Sequence, residues 1–446
     1  MLSPADNQLL TQTGPDTPMG RYFRRFWQPV ALSRELPEPD CPPIRVTVMG
    51  ESLLAFRDST GAVGLIDRRC PHRGADLFYG RNEQASIRCI YHGWRFDRHG
   101  RALELPNVPA DSHYHHTIRV AAWPVREAGD IVWAYLGPPE HEPPRLPQLD
   151  FTCLPPEHRF VTKKLQQCNW AQSIEGAIDT SHFSFLHMPA PSVPSHRNDD
   201  APTDEKRLRW IREDPLPQFS FVDHPVGFVV GGSRAADHDQ RYWRIAQFAL
   251  PSHSTTPSTL PGETAFGYTW VPIDDQQCWI YTYAWNPDRP LTADERLKFS
   301  RGHGVIAEVD EQFVPIRRRE NDYLIDREAQ RTTSFTGVRG VAEQDAMVHD
   351  SQGLVADRSR DHLSPTDAAI ARFRRLMLSQ ARALAEAGQG PEAAQLPDAY
   401  RLRSGSWFAS ASVPFEQVMI ERFGHQAGLV TTATACRPDS TQGDAP

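Results

Sequence analysis

The stretch that decides the fold runs from residue 70 to residue 93 and contains two short turns, Cys70-Pro71-His72-Arg73-Gly74 and Cys89-Ile90-Tyr91-His92-Gly93. Each turn supplies one thiol and one imidazole, so the two turns together can hold one metal ion or a two-iron cluster. Zinc sites usually pair two cysteines and then two histidines. The mixed pairing found here suits a cluster in which one iron binds both cysteines and the other binds both histidines. We therefore expect a two-iron cluster, with a Cys2His2 zinc clip as the alternative.

The rest of the chain has the composition of a globular protein. Its 446 residues are 39% hydrophobic and 23% charged, which is enough for two domains or one large one. The 48 basic and 56 acidic residues give a net charge of −8, which argues against nucleic-acid binding. The 39 prolines favour a loop-rich β or α+β chain over a helical bundle. The amino terminus has no signal-peptide pattern and no long apolar run occurs, so we expect a cytoplasmic protein without a membrane span.

Hydrophobic periodicity divides the chain into two domains. Apolar and polar residues alternate as in short strands at 44–48 and 53–56, and a strand at 131–136 closes this region. A proline-rich linker follows at 138–156. We expect an all-β domain over residues 1–140, with its core at about 27–137, and a larger α+β domain over 141–435. The tail over 436–446 is expected to be disordered.

The second domain mixes strands and helices. Strand patterns lie at 227–231 and 278–285, and a helix is expected from about 169 to 187. Another helix is expected to begin at Ser364-Pro365-Thr366-Asp367, because Ser is a good N-cap, Pro suits the first turn and Asp favours the helix dipole. Gly388 is expected to end it.

The helix expected at 169–187 carries a second group of metal-binding residue types. Glu175, Asp179 and His182 recur at i, i+4 and i+7, which would place them on one helical face. His187 follows five residues after His182, so the helix must loosen or end between them if both are to bind one ion. An iron(II) site that activates O2 needs two imidazoles and one carboxylate. That carboxylate could be Asp179 or a residue distant in sequence.

Both groups resemble those of the Rieske non-haem iron oxygenases. The motifs C-P-H-R-G and C-I-Y-H-G-W are similar to the cluster loops of the oxygenase type, since Ala75 and Ile90 stand where the respiratory branch has a disulfide and Trp94 stands where it has a serine. The pattern N-W…E-G-x-x-D-x-x-H-x4-H resembles the family's iron-binding segment. Residues 317–327, 334–337 and 357–360 resemble the phthalate dioxygenase-type branch, and the resemblance covers about residues 15 to 425.

The resemblance implies a [2Fe–2S] cluster and a mononuclear Fe(II) as cofactors. The four residues implied to hold the cluster are Cys70, His72, Cys89 and His92. His182 and His187 are implied to bind the iron together with a later aspartate. Asp345 matches that position best, with Asp350 as the fallback and Glu343 also open.

The same resemblance implies a catalytic role for three residues of the iron segment, namely Asn169, Glu175 and Asp179. Asp179 would bridge towards a cluster histidine rather than bind iron. Family members form head-to-tail homo-trimers or hexamers, so this histidine would be His72 or His92 of a neighbouring subunit. The implied fold is an N-terminal all-β Rieske domain followed by a larger α+β, helix-grip-type catalytic domain. Electrons would come from a separate NADH-dependent flavin and iron–sulfur reductase, because the chain itself shows no nucleotide fingerprint.

The substrate implied by the resemblance is an aromatic carboxylate, such as a phthalate, a benzoate or a phenoxybenzoate, which the enzyme would oxidise with O2. Arg207, Arg209 and Arg244 fall in the segment expected to line the pocket, and arginine suits carboxylate recognition. Residues 188–204 are expected to form a mobile lid. Two alternatives remain open: a Rieske monooxygenase that demethylates or cleaves ethers of an aryl acid, and a Rieske electron-transfer protein without oxygenase activity.

Overall fold

The computed structural model of the chain describes residues 1–109, 112, 114–193, 203–257 and 260–423. The expected tail at 436–446 and much of the expected lid at 188–204 therefore lie outside the described residues.

The N-terminal domain is built from short antiparallel strands. In the described part of the chain these strands are β1 Trp27–Leu32, β2 Ile44–Val48, β3 Glu51–Arg57, β4 Val63–Asp67, β5 Arg81–Glu83, β6 Ser86–Arg88, β7 Arg95–Phe96, β8 Ala102–Glu104, β9 Ala122–Trp123, β10 Val125–Ala128 and β11 Ile131–Tyr135. They form three sheets with the strand orders β1-β11-β10, β2-β3-β4-β9 and β5-β6-β7-β8. The strands expected at 44–48, 53–56 and 131–136 are confirmed as β2, β3 and β11.

A small hydrophobic core of this domain surrounds the two cysteine–histidine turns. Leu54, Phe56 and Phe96 are fully buried and pack in one cluster with Cys70 and Cys89. The two turns thus project from a rigid β scaffold.

The catalytic domain contains one large antiparallel sheet. Its strands are β12 Arg159–Gln166, β13 Gln218–His224, β14 Gly227–Ala235, β15 Gln240–Ala249, β16 His253–Thr255, β17 Ala265–Pro272, β18 Cys278–Trp285 and β19 Gly405–Ser410. The strand order is β12-β18-β17-β16-β15-β14-β13, and β19 pairs with β15. The expected strands at 227–231 and 278–285 are confirmed as part of β14 and as β18.

Helices cover this sheet and join the domains. The helices of the described residues are α1 Pro4–Thr11, α2 Pro18–Phe23, α3 Tyr114–Thr117, α4 Trp170–Ile178, α5 Thr203–Glu213, α6 Ala293–Ser300, α7 Arg327–Thr332, α8 Val341–Ser351, α9 Ala368–Ala387 and α10 Phe415–Phe423. None of them combines the length and the apolar character that a membrane span requires.

Helices α4 and α9 pack against the large sheet. The indole Nε1 of Trp270 on β17 donates to Ser173 Oγ on α4 at 2.9 Å, and the rings of Phe248 on β15 and Phe373 on α9 lie 5.1 Å apart. The ring of Phe23 on α2 packs 4.8 Å from that of Trp170, so the amino-terminal helices lie on the catalytic domain. The expected order of a β domain followed by a larger α+β domain is confirmed.

The helix expected at 169–187 is wrong beyond Ile178. Asp179 is extended, with ψ of 122°, and its Oδ1 accepts both the N–H and the O–H of Ser181 at 2.6 Å. These local bonds compete with continuation of the helix. After the break a single 3-10 turn covers His182–Ser184. Glu175, Asp179 and His182 therefore do not share a helical face.

The expected start and end of α9 are confirmed. Ser364 and Asp367 form the reciprocal hydrogen bonds of a capping box around a 3-10 turn at Pro365–Asp367, and α9 continues from it. Gly388 ends α9 with φ of 65°, a conformation that glycine adopts without strain.

Candidate metal centres and substrate pocket

The two cysteine–histidine turns have the same backbone structure. In each, the cysteine N–H donates to the carbonyl five residues later at 2.8 Å. The N–H of Gly74 donates back to Cys70 at 2.8 Å, and that of Gly93 donates back to Cys89 at 3.0 Å. Both glycines have φ near +75° (73° and 75°), where a side chain would be strained. The repeated Cys…His…Gly pattern therefore builds two matching loops.

The loops place four ligand atoms together in a buried space. Cys70 and Cys89 are 2% and 3% exposed, and the rings of His72 and His92 lie 4.4 Å apart. The Nδ1 atoms of both imidazoles are buried and have no hydrogen-bond partner in the described structure. Burial, reinforced by the nearby Cys89, raises the pKa of the Cys70 thiol to about 11. Unpaired imidazole nitrogens beside buried thiols fit a site that is completed by a metal group.

The spread of these ligands argues against the zinc alternative. A tetrahedral zinc ion with bonds of about 2.0–2.3 Å needs its ligand atoms within about 4 Å of one another. Among the described residues, the one set of three or more His, Cys, Asp or Glu ligand atoms within 4.8 Å of one another belongs to His182, His187 and Asp345. The four residues of the two loops do not form such a set, which fits a two-iron cluster better than a single zinc ion.

Trp94 supports the cluster loops from one side. Its ring stacks on that of His72 at 4.4 Å and 10°, and its Nε1 donates to Asn107 Oδ1 at 2.6 Å. On the outer side, Ile90 and Tyr91 are 62% and 54% exposed. The tip of the second loop is therefore an exposed apolar surface next to the cluster ligands.

The second centre forms where α4 ends. His182 Nε2 lies 3.2 Å from His187 Nε2 and 3.7 Å from Asp345 Oδ1, and His187 Nε2 lies 3.2 Å from the same oxygen. The three atoms form a compact triangle with two imidazoles and one carboxylate. Burial alone would raise the pKa of Asp345, but the two histidines outweigh it and hold that pKa far below the ordinary value. This donor set suits ferrous iron with open positions.

Helix α8 brings the carboxylate from a distant part of the sequence. Of the three acidic candidates, Asp345 alone reaches the two histidines. Glu343 accepts the N–H of residue 308 at 3.0 Å, and Asp350 accepts from Gln166 Nε2 at 2.6 Å and from the hydroxyl of Tyr323. Glu343 and Asp350 therefore hold α8 in place.

Asp179 lies behind the iron triad. Its Oδ2 is 3.4 Å from His182 Nδ1, the nitrogen that points away from the iron position. Burial alone would raise the pKa of Asp179, but hydrogen bonds from His182 and Ser181 outweigh it and lower that pKa. Its side chain remains 16% exposed, so Asp179 links the triad to the protein surface.

Asn169 and Glu175, for which a catalytic role is expected, make hydrogen bonds and ion pairs that hold α4 in place. Asn169 caps α4 by accepting the N–H of Ala171 at 3.0 Å. Glu175 pairs with two buried arginines, at 2.9 Å from Arg358 and 2.7 Å from Arg374. These two ion pairs occupy the Glu175 carboxylate.

The structure separates the candidate substrate arginines. Arg244 is 3% exposed, and its guanidinium stacks on the ring of Phe183 with Cζ 3.8 Å from the centroid. The Phe183 ring in turn lies 4.8 Å from the ring of His182 and 4.6 Å from that of His187. Nη2 of Arg244 is buried without a hydrogen-bond partner among the described residues. Arg244 thus faces the iron site across one aromatic ring.

Arg207 and Arg209 already bind carboxylates. Arg207 lies 3.3 Å from Glu263, and Arg209 lies 2.5 Å from Asp237. Both arginines are therefore occupied by acidic side chains. Burial, with a contribution from the neighbouring Arg207, lowers the pKa of Arg244 below its ordinary value.

Sequence reasoning missed two residues of this region. Gln344 Oε1 lies 2.7 Å from His187 Nδ1, and Arg234 donates to the carbonyl of Thr180 at 2.8 Å, next to Asp179. Burial lowers the pKa of Arg234 to about 10. No local pattern distinguishes a buried arginine from a surface one in a chain this rich in arginine. Gln344 does adjoin the candidate ligand Asp345, which was the available signal.

Comparison with known families matches both parts of the chain. Residues 26–124 match the family described as "Rieske [2Fe-2S] domain". Residues 134–403 match the family described as "LigXa C-terminal domain like". The two matches together include both metal-binding centres.

Individual relatives are similar over nearly the whole length. The 3-chlorobenzoate-3,4-dioxygenase oxygenase subunit of Comamonas testosteroni is 34% identical over 430 residues, which cover 94% of this chain and 98% of that relative. The phthalate 4,5-dioxygenase oxygenase subunit of Pseudomonas putida is 37% identical over 397 residues, covering 87% and 88%. The crystal structure of dicamba monooxygenase bound to dicamba shares the fold with a TM-score of 0.55 at 17% identity, covering 83% of this chain and 100% of that one.

Proposed function

Because the chain belongs to the Rieske non-haem iron oxygenases as an oxygenase subunit, we propose that it oxidises an aromatic carboxylate with O2 at the His182–His187–Asp345 site. It is an oxidoreductase whose cofactors are a Rieske [2Fe–2S] cluster and a mononuclear non-haem iron. When bound, the cluster supplies single electrons and the iron supplies the activation of O2. The rest of the chemistry depends on what the chain's own residues hold and orient.

The observation that carries the substrate class is the buried Nη2 group of Arg244, which has no hydrogen-bond partner among the described residues, whereas Nε of the same guanidinium donates to Thr180 Oγ1 at 3.1 Å. A buried cation with a free N–H group requires an anion or a hydrogen-bond acceptor. Arg244 faces the two iron-binding histidines across Phe183. A carboxylate bound by Arg244 would therefore hold an attached aromatic ring beside the iron position.

The substrate class is tested with the purified holoenzyme and its electron donor. A panel of benzoate, phthalate, 3-chlorobenzoate and phenoxybenzoate, with the matching amides as uncharged controls, is incubated with isotope-labelled O2. We expect labelled product from at least one acid and none from its amide. Equal oxidation of acid and amide would contradict carboxylate recognition, although the oxygenase assignment would stand. The number of labelled oxygen atoms in the product separates dioxygenation from O-demethylation or ether cleavage.

The substitution Arg244→Gln tests directly whether the Arg244 guanidinium binds the substrate carboxylate. We expect KM for the acid to rise by roughly 10- to 150-fold, because a hydrogen bond to a charged group contributes about 1.5–3 kcal/mol. Arg372→Gln is the matched control, since Arg372 also stacks on a phenylalanine, Phe221, at 5.4 Å but is paired with Asp223. An unchanged KM in Arg244→Gln would show that Arg244 does not bind the substrate carboxylate.

Oxygenase subunits of Rieske systems work with a reductase, and we propose an NADH-dependent flavin and iron–sulfur protein as the donor here. Such a donor would place the system in the cytoplasm, where that cofactor is available. We further propose a head-to-tail homo-trimer, or a hexamer of two trimers. The exposed loop tip at Ile90 and Tyr91 and the partly exposed Asp179 provide the two surfaces that such an assembly would join.

The electron-transfer alternative fits the structure less well. An electron carrier needs the cluster loops alone, whereas this chain devotes α4, α8 and a large sheet to a second centre. Asp345 lies 158 residues after His187 in the sequence, and α8 brings it to the two histidines. Substitution of Asp345 separates the two functions. An oxygenase would lose turnover and keep its cluster, whereas an electron carrier would keep its activity.

A further inference from the structure

The imidazole of His187 is held at both of its nitrogens by adjacent residues of α8. Its Nε2 lies 3.2 Å from Asp345 Oδ1, on the side of the iron position. Its Nδ1, on the opposite edge of the ring, lies 2.7 Å from Gln344 Oε1. Two consecutive residues of a helix point about 100° apart, which lets them reach both edges of one ring.

The orientation of the Gln344 amide is fixed by a second bond. Its Nε2 donates to the carbonyl of Val338 at 2.8 Å, so Oε1 faces His187. The amide oxygen can only accept, which requires His187 to donate from Nδ1. A neutral imidazole that carries its proton on Nδ1 has its lone pair on Nε2. The backbone carbonyl of Val338 thus determines, through Gln344, which nitrogen of His187 is free to bind a metal.

The two iron-binding histidines therefore have different supports. His182 Nδ1 faces the carboxylate of Asp179 at 3.4 Å, whereas His187 Nδ1 faces a neutral amide at a shorter 2.7 Å. A carboxylate makes an imidazole a stronger donor to a metal than an amide does. His187 is also the more enclosed of the two, with 5% of its side chain exposed against 19% for His182.

We propose that Gln344 is a positioning residue that fixes the ring and the tautomer of His187, and thereby sets the affinity of the site for iron(II). This inference rests on the iron site of the proposed function but not on the identity of the substrate. Partners of metal-binding histidines typically contribute 10- to 100-fold to metal affinity. Gln344 acts through His187 and does not itself bind the ion.

Gln344→Met tests the inference, because methionine keeps the length of glutamine and removes the acceptor. Iron is removed from the second site with a chelator and Fe(II) is titrated back under anaerobic conditions by calorimetry, while the absorption of the Rieske cluster reports intact folding. We expect Fe(II) to bind about 10- to 100-fold more weakly. The electron paramagnetic resonance signal of the nitric oxide adduct of the bound Fe(II) is expected to change as well.

A second variant and a control separate this role from packing. Gln344→Glu keeps an acceptor for Nδ1, so Fe(II) is expected to bind at least as tightly as in the wild type. Gln172→Met is the control, since Gln172 is also a buried glutamine, on α4, and donates to the carbonyl of His349 on α8 at 2.9 Å, away from the ligands. Wild-type affinity in Gln344→Met would overturn the inference. So would equal weakening in the Met and Glu variants, or in Gln172→Met.

Discussion

The two carboxylate oxygens of Asp179 have separate tasks. Oδ1 accepts the N–H and O–H of Ser181, which fixes the turn that follows α4. Oδ2 faces His182 Nδ1 and orients that ring towards the iron position. An asparagine could replace the first function but not the charge of the second. The proposed bridge to His72 or His92 of the partner subunit would use the exposed part of the same carboxylate.

We expect Asp179→Asn to keep both metal centres but to lower turnover about 100-fold or more, because the amide cannot couple two imidazoles as a carboxylate does. Iron content, cluster absorption and product formation are measured together. Asp326→Asn serves as the control, since Asp326 also accepts backbone N–H groups, those of Glu328 and Ala329, but caps α7. Normal oxidation by Asp179→Asn would rule out the bridging role.

Gly176 is required for the crossing of α4 and α8. A Cβ at this position would lie 1.9 Å from His349 Nε2 and 2.5 Å from Cε1. Burial lowers the pKa of His349 to about 4, so at neutral pH this ring is an uncharged packing element. Gly176 is therefore needed because α8 leaves no room for a side chain at this position, and not because the backbone is flexible there.

Gly176→Ala is expected to cost about 1–3 kcal/mol of unfolding free energy, because the added methyl group overpacks the crossing. Urea unfolding of the holoenzyme measures it. If the clash is the cause, His349→Ala in the same chain restores part of the loss, so that the two changes are not additive. Additive losses would instead point to a different origin.

At the level of elements, α4 matters because it ends at Ile178, four residues before His182. Asn169 fixes its beginning with three bonds: its oxygen caps α4, and its Nδ2 donates to the carbonyls of Thr11 at 2.9 Å and Asp275 at 2.7 Å. The side chain thereby ties α4 to α1 and to the hairpin between β17 and β18.

We expect Asn169→Ala to lose about 2–4 kcal/mol of unfolding free energy, since it removes a cap and leaves two carbonyls unpaired. Thr292→Ala, which removes only the N-cap of α6, is expected to lose about 1 kcal/mol. Turnover per bound iron in Asn169→Ala should match the wild type. Unchanged stability with a large loss of turnover would instead support the catalytic role expected from the sequence.

The sequence predicted those elements whose pattern is local. Strands β2 and β18 were expected with the observed bounds, and the capping box at Ser364 gave the start of α9. The end of α4 was not predicted, because the helical spacing of Glu175 and Asp179 persists across it. The Asp-x-Ser pattern at 179–181, typical of a side-chain turn, was the overlooked signal.

The proposed iron and cluster ligands came from motifs and a family resemblance, whereas the residues that support them were not predicted. Gln344 meets His187 across 157 residues of sequence, and Glu175 meets Arg358 across 183. Such pairs depend on how α4, α8 and α9 pack, and no local periodicity encodes that arrangement. For the same reason, the sequence did not indicate that Arg207 and Arg209 would pair with carboxylates of the chain while Arg244 would not.

At the scale of the whole molecule, the proposed assembly predicts that electrons pass from the cluster of one subunit to the iron of its neighbour. The loop that carries Cys89 and His92 ends in the exposed Ile90 and Tyr91, and Asp179 keeps 16% of its side chain exposed. Both surfaces are available to a second copy of the chain. A head-to-tail ring would place each exposed loop against the Asp179 of its neighbour.

Mixed oligomers decide between transfer within and between subunits. Cys70→Ala should remove the cluster and keep the iron site, whereas Asp345→Ala should remove the iron and keep the cluster. Each variant alone is expected to be inactive. In a head-to-tail trimer that contains both chains, one of the three positions combines an intact iron site with an intact neighbouring cluster, so about a third of the wild-type turnover should return. Co-expression with two affinity tags isolates the mixed oligomers, and inactivity of material proven to contain both chains would show that each subunit must use its own cluster.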